Sequence, residues 1–171
     1  MDSTIISRGG DEMEIEEKKE DVKPEKKAKS YGKARKGIYF GPSLGFEGTE
    51  AYKLLRTNLK FAVPAEKECK VVGVTSSLRG EGKSTTAINL AYMVAEDGAN
   101  VLLIEADMRL PGIVSKLRLE KRKGLSNLLA GLCEAAEVVI PPAGDCNFSV
   151  VQAGAVPPNP SELLGSDAMK K

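Results

Sequence analysis

The run CKVVGVTSSLRGEGKSTTAINLAYMVAEDG, residues 69–98, constrains the fold of this chain more than any other stretch. Its first eight residues, 69–76, are mostly β-branched or apolar and predict a short strand buried on both faces. KSTTAINLAYMVAEDG predicts a helix with Ala87, Leu90, Ala91 and Val94 along one face and Gly98 as its stop. Between the two lies a glycine-bearing turn, Gly80 to Thr85. NVLLIEAD, residues 100–107, predicts a second buried strand. Strand, helix and strand at this spacing form a right-handed βαβ unit of a parallel sheet.

The flanks are read the same way. TEAYKLLRTNLKFA predicts a helix whose apolar stripe is Ala51, Leu54, Leu55, Asn58, Leu59 and Ala62, ended by Pro64. KGLSNLLAGL (123–132) predicts a short helix and FSVVQAG (148–154) a third strand. A last helix opens near Ser161, a natural N-cap. Two parts result: a charged, disordered tail over 1–40 and an α/β domain over 41–171. KGIYFGPSLGFEG, at the junction, predicts a loop that docks a few aromatics.

Composition removes several chemistries. There is no histidine, which excludes Ser-His-Asp triads, histidine-ligated zinc and imidazole bases. A formal net charge of +1 gives no general bias toward nucleic acid, and none is expected as a partner. Cys69, Cys133 and Cys146 are scattered and read as reduced thiols of a cytosolic protein. No apolar run is long enough for a membrane span, and the acidic N-terminus is unlike a signal peptide.

The turn carries the chemistry. Gly80 and Gly82 let successive N–H groups point inward and let a polyphosphate approach closely. The helix from Lys83 adds its positive N-terminal end. Lys83 is placed for β- and γ-phosphates, Ser84 for Mg²⁺ and Thr85 for the α-phosphate side, with Glu81 inside the same loop. GKS alone is weak; a strand before it and a helix after it make it a phosphate loop. Ser77 stands where such loops usually begin with glycine.

Glu105 and Asp107 fall at the carboxyl end of the following strand, the edge where open α/β sheets bind ligands. Residues two apart on a strand share a face, so both carboxylates are expected to point the same way, toward metal and proton. Arg109 follows, within reach of phosphate or of an acid.

Four stretches now carry a resemblance: EAYKLLRTNL (50–59), VTSSLRGEGKSTTAINLA (74–91), VLLIEADMRLP (101–111) and AGAVPPNPSELLGSDAM (153–169). In this order they resemble the bacterial tyrosine kinases of capsule and exopolysaccharide synthesis. Residues 74–91 are similar to the family's Walker A segment, and residues 101–111 are similar to its Walker A′ motif. The resemblance implies a P-loop NTPase-like parallel sheet flanked by helices, and ATP- and Mg²⁺-dependent phosphorylation of protein tyrosines. It implies Lys83, Glu105 and Asp107 as catalytic residues, Gly80 to Thr85 as the nucleotide site, and Ser84, Glu105 and Asp107 as metal ligands. It implies a homo-oligomeric ring with Glu50, Lys53 and Arg56 at the interface, and a membrane-embedded chain-length activator that holds a cytoplasmic protein at the inner membrane face.

Some positions depart from the family pattern. Glu105 stands where Asp is usual, Arg79 where Pro is common, and Lys53 replaces the middle Arg of E-x-x-R-x-x-R. By the same resemblance the chain stops before the Walker B strand and lacks a tyrosine cluster, having only Tyr31, Tyr39, Tyr52 and Tyr92. The expectation is the front part of a kinase, inactive alone. Two alternatives stand beside it. One is a positioning ATPase of the ParA/MinD type, whose signature lysine position is Leu78 here; the other is a nucleotide-binding interaction fragment without turnover.

Overall fold

The structure is a computed structural model that describes residues 41–63, 69–141 and 147–170. The tail over 1–40, with Tyr31 and Tyr39, lies outside the described residues, as do Pro64 and Cys146.

After a 3-10 turn at Gly41–Ser43 come helix α1 (Phe46–Ala62), α2 (Lys83–Glu96), strand β1 (Val101–Ile104), α3 (Ile113–Leu117), α4 (Leu125–Leu129), α5 (Ala135–Val138), β2 (Val139–Ile140), β3 (Phe148–Val151) and α6 (Pro160–Leu164). A 3-10 turn at Asp167–Met169 closes the series. The sheet order is β1-β3-β2. β1 runs parallel to β3 from Val101↔Phe148 to Ile104↔Val151, and β2 pairs antiparallel to β3. The unit is a mixed α/β fold with helices packed on its small sheet.

Side-chain alternation on β3 serves two clusters. Phe148 and Val150 join Ile88 and Ala95 of α2 and Ile113 and Leu117 of α3. Val151 and Ala153 join Met108, Leu125 and Val138. The α2 row turned to the sheet therefore runs through Ile88, Ala91 and Ala95, one position off the expected Ala87 and Val94, which are half-buried. Glycines bound α2 at both ends: Gly82 enters it at φ 93° and Gly98 leaves it at φ 91°, a region in which L side chains are strained.

Four expectations need correction. Residues 69–76 form no strand; Val71 is 92 % exposed and Val72 45 %. A β-branched run favours extended backbone, but a strand needs a neighbour, and no described segment pairs with it. The parallel pair is instead β1 and β3, with α3, α4, α5 and β2 between them in sequence. The α1 stripe faces outward: Leu54 is 63 % exposed, Leu55 40 %, and no α1 residue is buried. Ion pairs hold α1 to α2 instead, through Arg56 and Lys60 to Asp97. Finally, α6 starts at Pro160 after Asn159, and Ser161 is not its cap; its Oγ accepts a hydrogen bond from Arg109 (3.3 Å).

Candidate nucleotide-binding site

The loop from Ser76 to Gly82 is shaped by its own side chains. Glu81 folds back so that its carboxylate accepts the Leu78 N–H (2.9 Å) and the Ser77 hydroxyl (3.2 Å). The Leu78 N–H above all, with Ser77, holds the Glu81 carboxyl below the usual carboxylate range. Ser76 Oγ donates to the Leu78 carbonyl (3.0 Å). Gly80 takes φ 89°, and a Cβ built on Gly80 or Gly82 meets nothing within 4 Å, so this turn is open to solvent. Ser77, at the position of the missing glycine, thus serves as a partner of Glu81.

α2 begins at Lys83, and its first turn places Lys83, Ser84 and Thr85 half-buried behind the glycines. Lys83 Nζ lies 2.8 Å from Asp107 Oδ2. Asp107 sits in the turn after β1, where its Oδ1 accepts the Leu110 N–H (3.0 Å). The Lys83 hydrogen bond, ahead of the Leu110 N–H, lowers the Asp107 pKa against an opposing push from burial. Lys116 of α3 reaches Thr85 Oγ1 (3.4 Å), and a Cβ on Gly112 would stand 3.7 Å from Ser84 Oγ. The α3 entrance therefore closes against the start of α2. Lys116 and Gly112 were not legible in sequence, because a contact over about thirty residues leaves no local pattern.

Glu105 goes elsewhere. Only 3 % exposed, it turns inward, and its Oε1 accepts the N–H groups of Gly112 (2.5 Å) and Ile113 (2.8 Å) at the entrance of α3. β1 ends at Ile104, so the strand rule that put both carboxylates on one face does not extend to Asp107. No hydrogen bond or ion pair joins Glu105 to Lys83 or Asp107. The extra methylene of Glu over Asp gives it the reach to the helix entrance. Glu105 Oε2 is buried and is the one such side-chain oxygen among the described residues without a partner.

The structure thus brings together Gly80, Gly82, Lys83, Ser84, Thr85 and Asp107. Glu81 staples the loop and Glu105 braces α3. The donor set suits a phosphate: an open glycine turn, a helix N-terminus of a fourteen-residue helix, a lysine and two hydroxyls. For a divalent cation it offers Ser84 and Asp107; Glu105 is held at the α3 entrance instead. No group of three or more acidic or cysteine residues that could hold a metal ion converges among the described residues.

On α1, Glu50 and Lys53 pair with each other at 3.0 Å and stay exposed. Arg56 turns onto α2, donating to the Met93 carbonyl (3.0 Å) and pairing with Asp97 (3.4 Å). Spacing alone put the three residues on one face; the structure divides them. No helix among the described residues is long and apolar enough to cross a membrane.

Fold and loop define an α/β unit of the P-loop NTPase-like class. The chain is 41 % identical over 123 residues to the tyrosine-protein kinase YwqD of Bacillus subtilis (strain 168), covering 72 % of this chain and 51 % of that protein. It is 38 % identical over 122 residues to the tyrosine-protein kinase etk of Escherichia coli (strain K12), covering 71 % of this chain and 16 % of that protein. Among solved structures, the kinase domain of Escherichia coli tyrosine kinase ETK superposes with a TM-score of 0.67 at 36 % identity, covering 72 % of this chain and 48 % of that one. The BceF tyrosine kinase domain superposes with a TM-score of 0.63 at 35 % identity, covering 71 % and 48 %. No protein-family model matches the chain. Over about 70 % of its length the chain is similar to bacterial tyrosine kinases, and it spans about half the length, or less, of the curated relatives it matches.

Proposed function

We propose that this chain carries the nucleotide site of an ATP-dependent protein-tyrosine kinase of capsule or exopolysaccharide synthesis. The observation that carries the reading is the open Gly80–Gly82 turn at the start of α2, with Lys83 held beside it by Asp107. The relatives supply the acceptor class, because their printed names are tyrosine-protein kinases.

In this reading, backbone N–H groups of residues 80–85 cradle the β- and γ-phosphates. Lys83 leaves Asp107 and binds phosphate oxygen. Ser84 and Asp107 would hold Mg²⁺, while Glu105, the third expected ligand, is turned onto the entrance of α3. Magnesium, when bound, neutralises charge on the phosphoryl group in transfer. Asp107, released from Lys83, would lie at the same edge to receive the proton of the attacking tyrosine hydroxyl as the γ-phosphoryl group leaves ADP for the tyrosine oxygen.

A ring of copies fits the outward stripe of α1, where Leu54, Leu55 and Phe61 are exposed beside Glu50 and Lys53. Arg56 fixes the angle of α1 on α2 and so serves that interface from behind. A membrane-embedded activator and tyrosine-bearing protein substrates complete the proposal, and they place the protein at the inner membrane face. The test incubates the chain with γ-labelled ATP, Mg²⁺ and a tyrosine peptide. Label on tyrosine that disappears in Lys83→Met supports the kinase; phosphate release to water without labelled tyrosine contradicts it.

A further inference from the structure

Beyond the nucleotide site, α3 also faces a cleft of about 520 Å³, within the ~300–1,000 Å³ of sites that hold ligands. Its lining combines the cations Arg118, Lys121 and Arg122 with apolar Pro111, Val114 and Val156. None of the three cations forms an ion pair with a described residue. Their setting is fixed by the fold. Buried Gln152 donates to the Glu120 carbonyl (2.7 Å) and accepts the Arg122 N–H (3.3 Å), which clamps the loop of cations to the end of β3. Arg118 takes φ 53° and is the one non-glycine at positive φ among the described residues. Glycine would sit there with less strain, yet the position carries an arginine that lines the cleft.

The complementary group is in the same chain. Residues 11–17, Asp-Glu-Met-Glu-Ile-Glu-Glu, carry five carboxylates and no cation. In extended backbone Glu12, Glu14 and Glu16 alternate with Met13 and Ile15, which matches a lining of cations and apolar carbons. Twenty-three residues separate Glu17 from Gly41, enough to span up to about 80 Å. A domain of this size has a radius of gyration of only about 14 Å, so the connector can reach any point of its surface. We propose that the cleft beside α3 docks this chain's own acidic segment, Asp11–Glu17. The proposal is independent of the nucleotide reading.

Zero-length carbodiimide coupling of the full chain, followed by peptide mass spectrometry, tests it, because the reagent joins a carboxylate only to an amine in contact with it. Lys121 is expected to link to a carboxylate of residues 11–17 within single molecules. Arg118→Ala with Arg122→Ala keeps the Lys121 amine and should lower that yield at least about fivefold, the scale of two lost ion pairs. About 0.5 M salt, with a Debye length of about 4 Å, should do the same. Glu14→Gln, Glu16→Gln and Glu17→Gln together alter no described residue, so a loss of the Lys121 link to Asp11 and Glu12 in that variant decides the matter even if the arginine variant misfolds. Unchanged yield in both variants overturns the proposal. So does a Lys121 link found only between isotopically distinct copies, which would assign the cleft to a second chain.

Discussion

Lys83 Nζ and Asp107 Oδ2, 2.8 Å apart, join the first residue of α2 to the turn after β1. The pair closes the phosphate loop against the strand end and keeps the lysine beside the glycines. In the proposed function a phosphate would have to take Lys83 from Asp107, so the contact would be both a brace and a competitor for the ligand. Asp107→Asn should leave nucleotide affinity without magnesium unchanged or higher, because Lys83 is released. The gain in affinity on adding magnesium should shrink in Asp107→Asn and persist in Arg109→Ala. Titrations with and without the metal check both; a full magnesium gain in Asp107→Asn removes the metal role.

Acid should open the same pair. The Asp107 pKa is lowered in the fold, first by Lys83. A depressed carboxyl contributes stability that is present above its unfolded value of about 3.9 and lost as pH falls through the folded value. The loop brace therefore holds above about pH 4 and weakens below it. Carboxyl-carbon NMR titration should place Asp107 below the usual range, and Lys83→Met should move it up. An Asp107 titration indifferent to Lys83→Met contradicts the pairing in solution.

Glu105 should matter for stability before it matters for chemistry. Its Oε1 holds two N–H groups at the entrance of α3, whose Ile113 and Leu117 lie in the core. Glu105→Ala leaves those donors buried, at a cost of about 1–3 kcal/mol. Glu105→Gln keeps one oxygen and offers a donor where Oε2 has no partner, so it should cost less than Ala. Urea denaturation of both variants checks the order; equal stability of Glu105→Ala and wild type would refute the bracing role.

Gly124 is a sharper test of the packing that carries the cations. A Cβ there would lie 2.2 Å from the Gln152 carbonyl oxygen, a backbone atom that cannot swing aside. Gly124→Ala should destabilise by at least about 1–3 kcal/mol. Thermal unfolding at the wild-type temperature would contradict this approach of α4 to β3.

Local chemistry decided what was legible in sequence. The start of α2 after Gly82, its end at Gly98, and the apolar runs of β1 and β3 each carry their signal within a few residues. The 69–76 run carries a strand signal too, but pairing is non-local, and no described strand lies beside it. Helical periodicity showed that α1 is two-faced without showing which face turns inward; Arg56 and Lys60 meeting Asp97 decided that. That Gly80 to Thr85 lie together at the start of α2 was legible because one loop contains them all. The divergence of Glu105 from Asp107 was not, because it depends on where β1 ends and on the arrival of Gly112 seven residues later.

The central claim is that the loop at the start of α2 binds the phosphates of ATP through Lys83. Titration calorimetry of Mg²⁺–ATP into the wild-type chain and Lys83→Met tests it most directly. The account predicts saturable one-to-one binding that weakens by at least about 1.5 kcal/mol, roughly tenfold, in the variant, the scale of a lost charge-assisted contact. Equal affinity in the two proteins would contradict it.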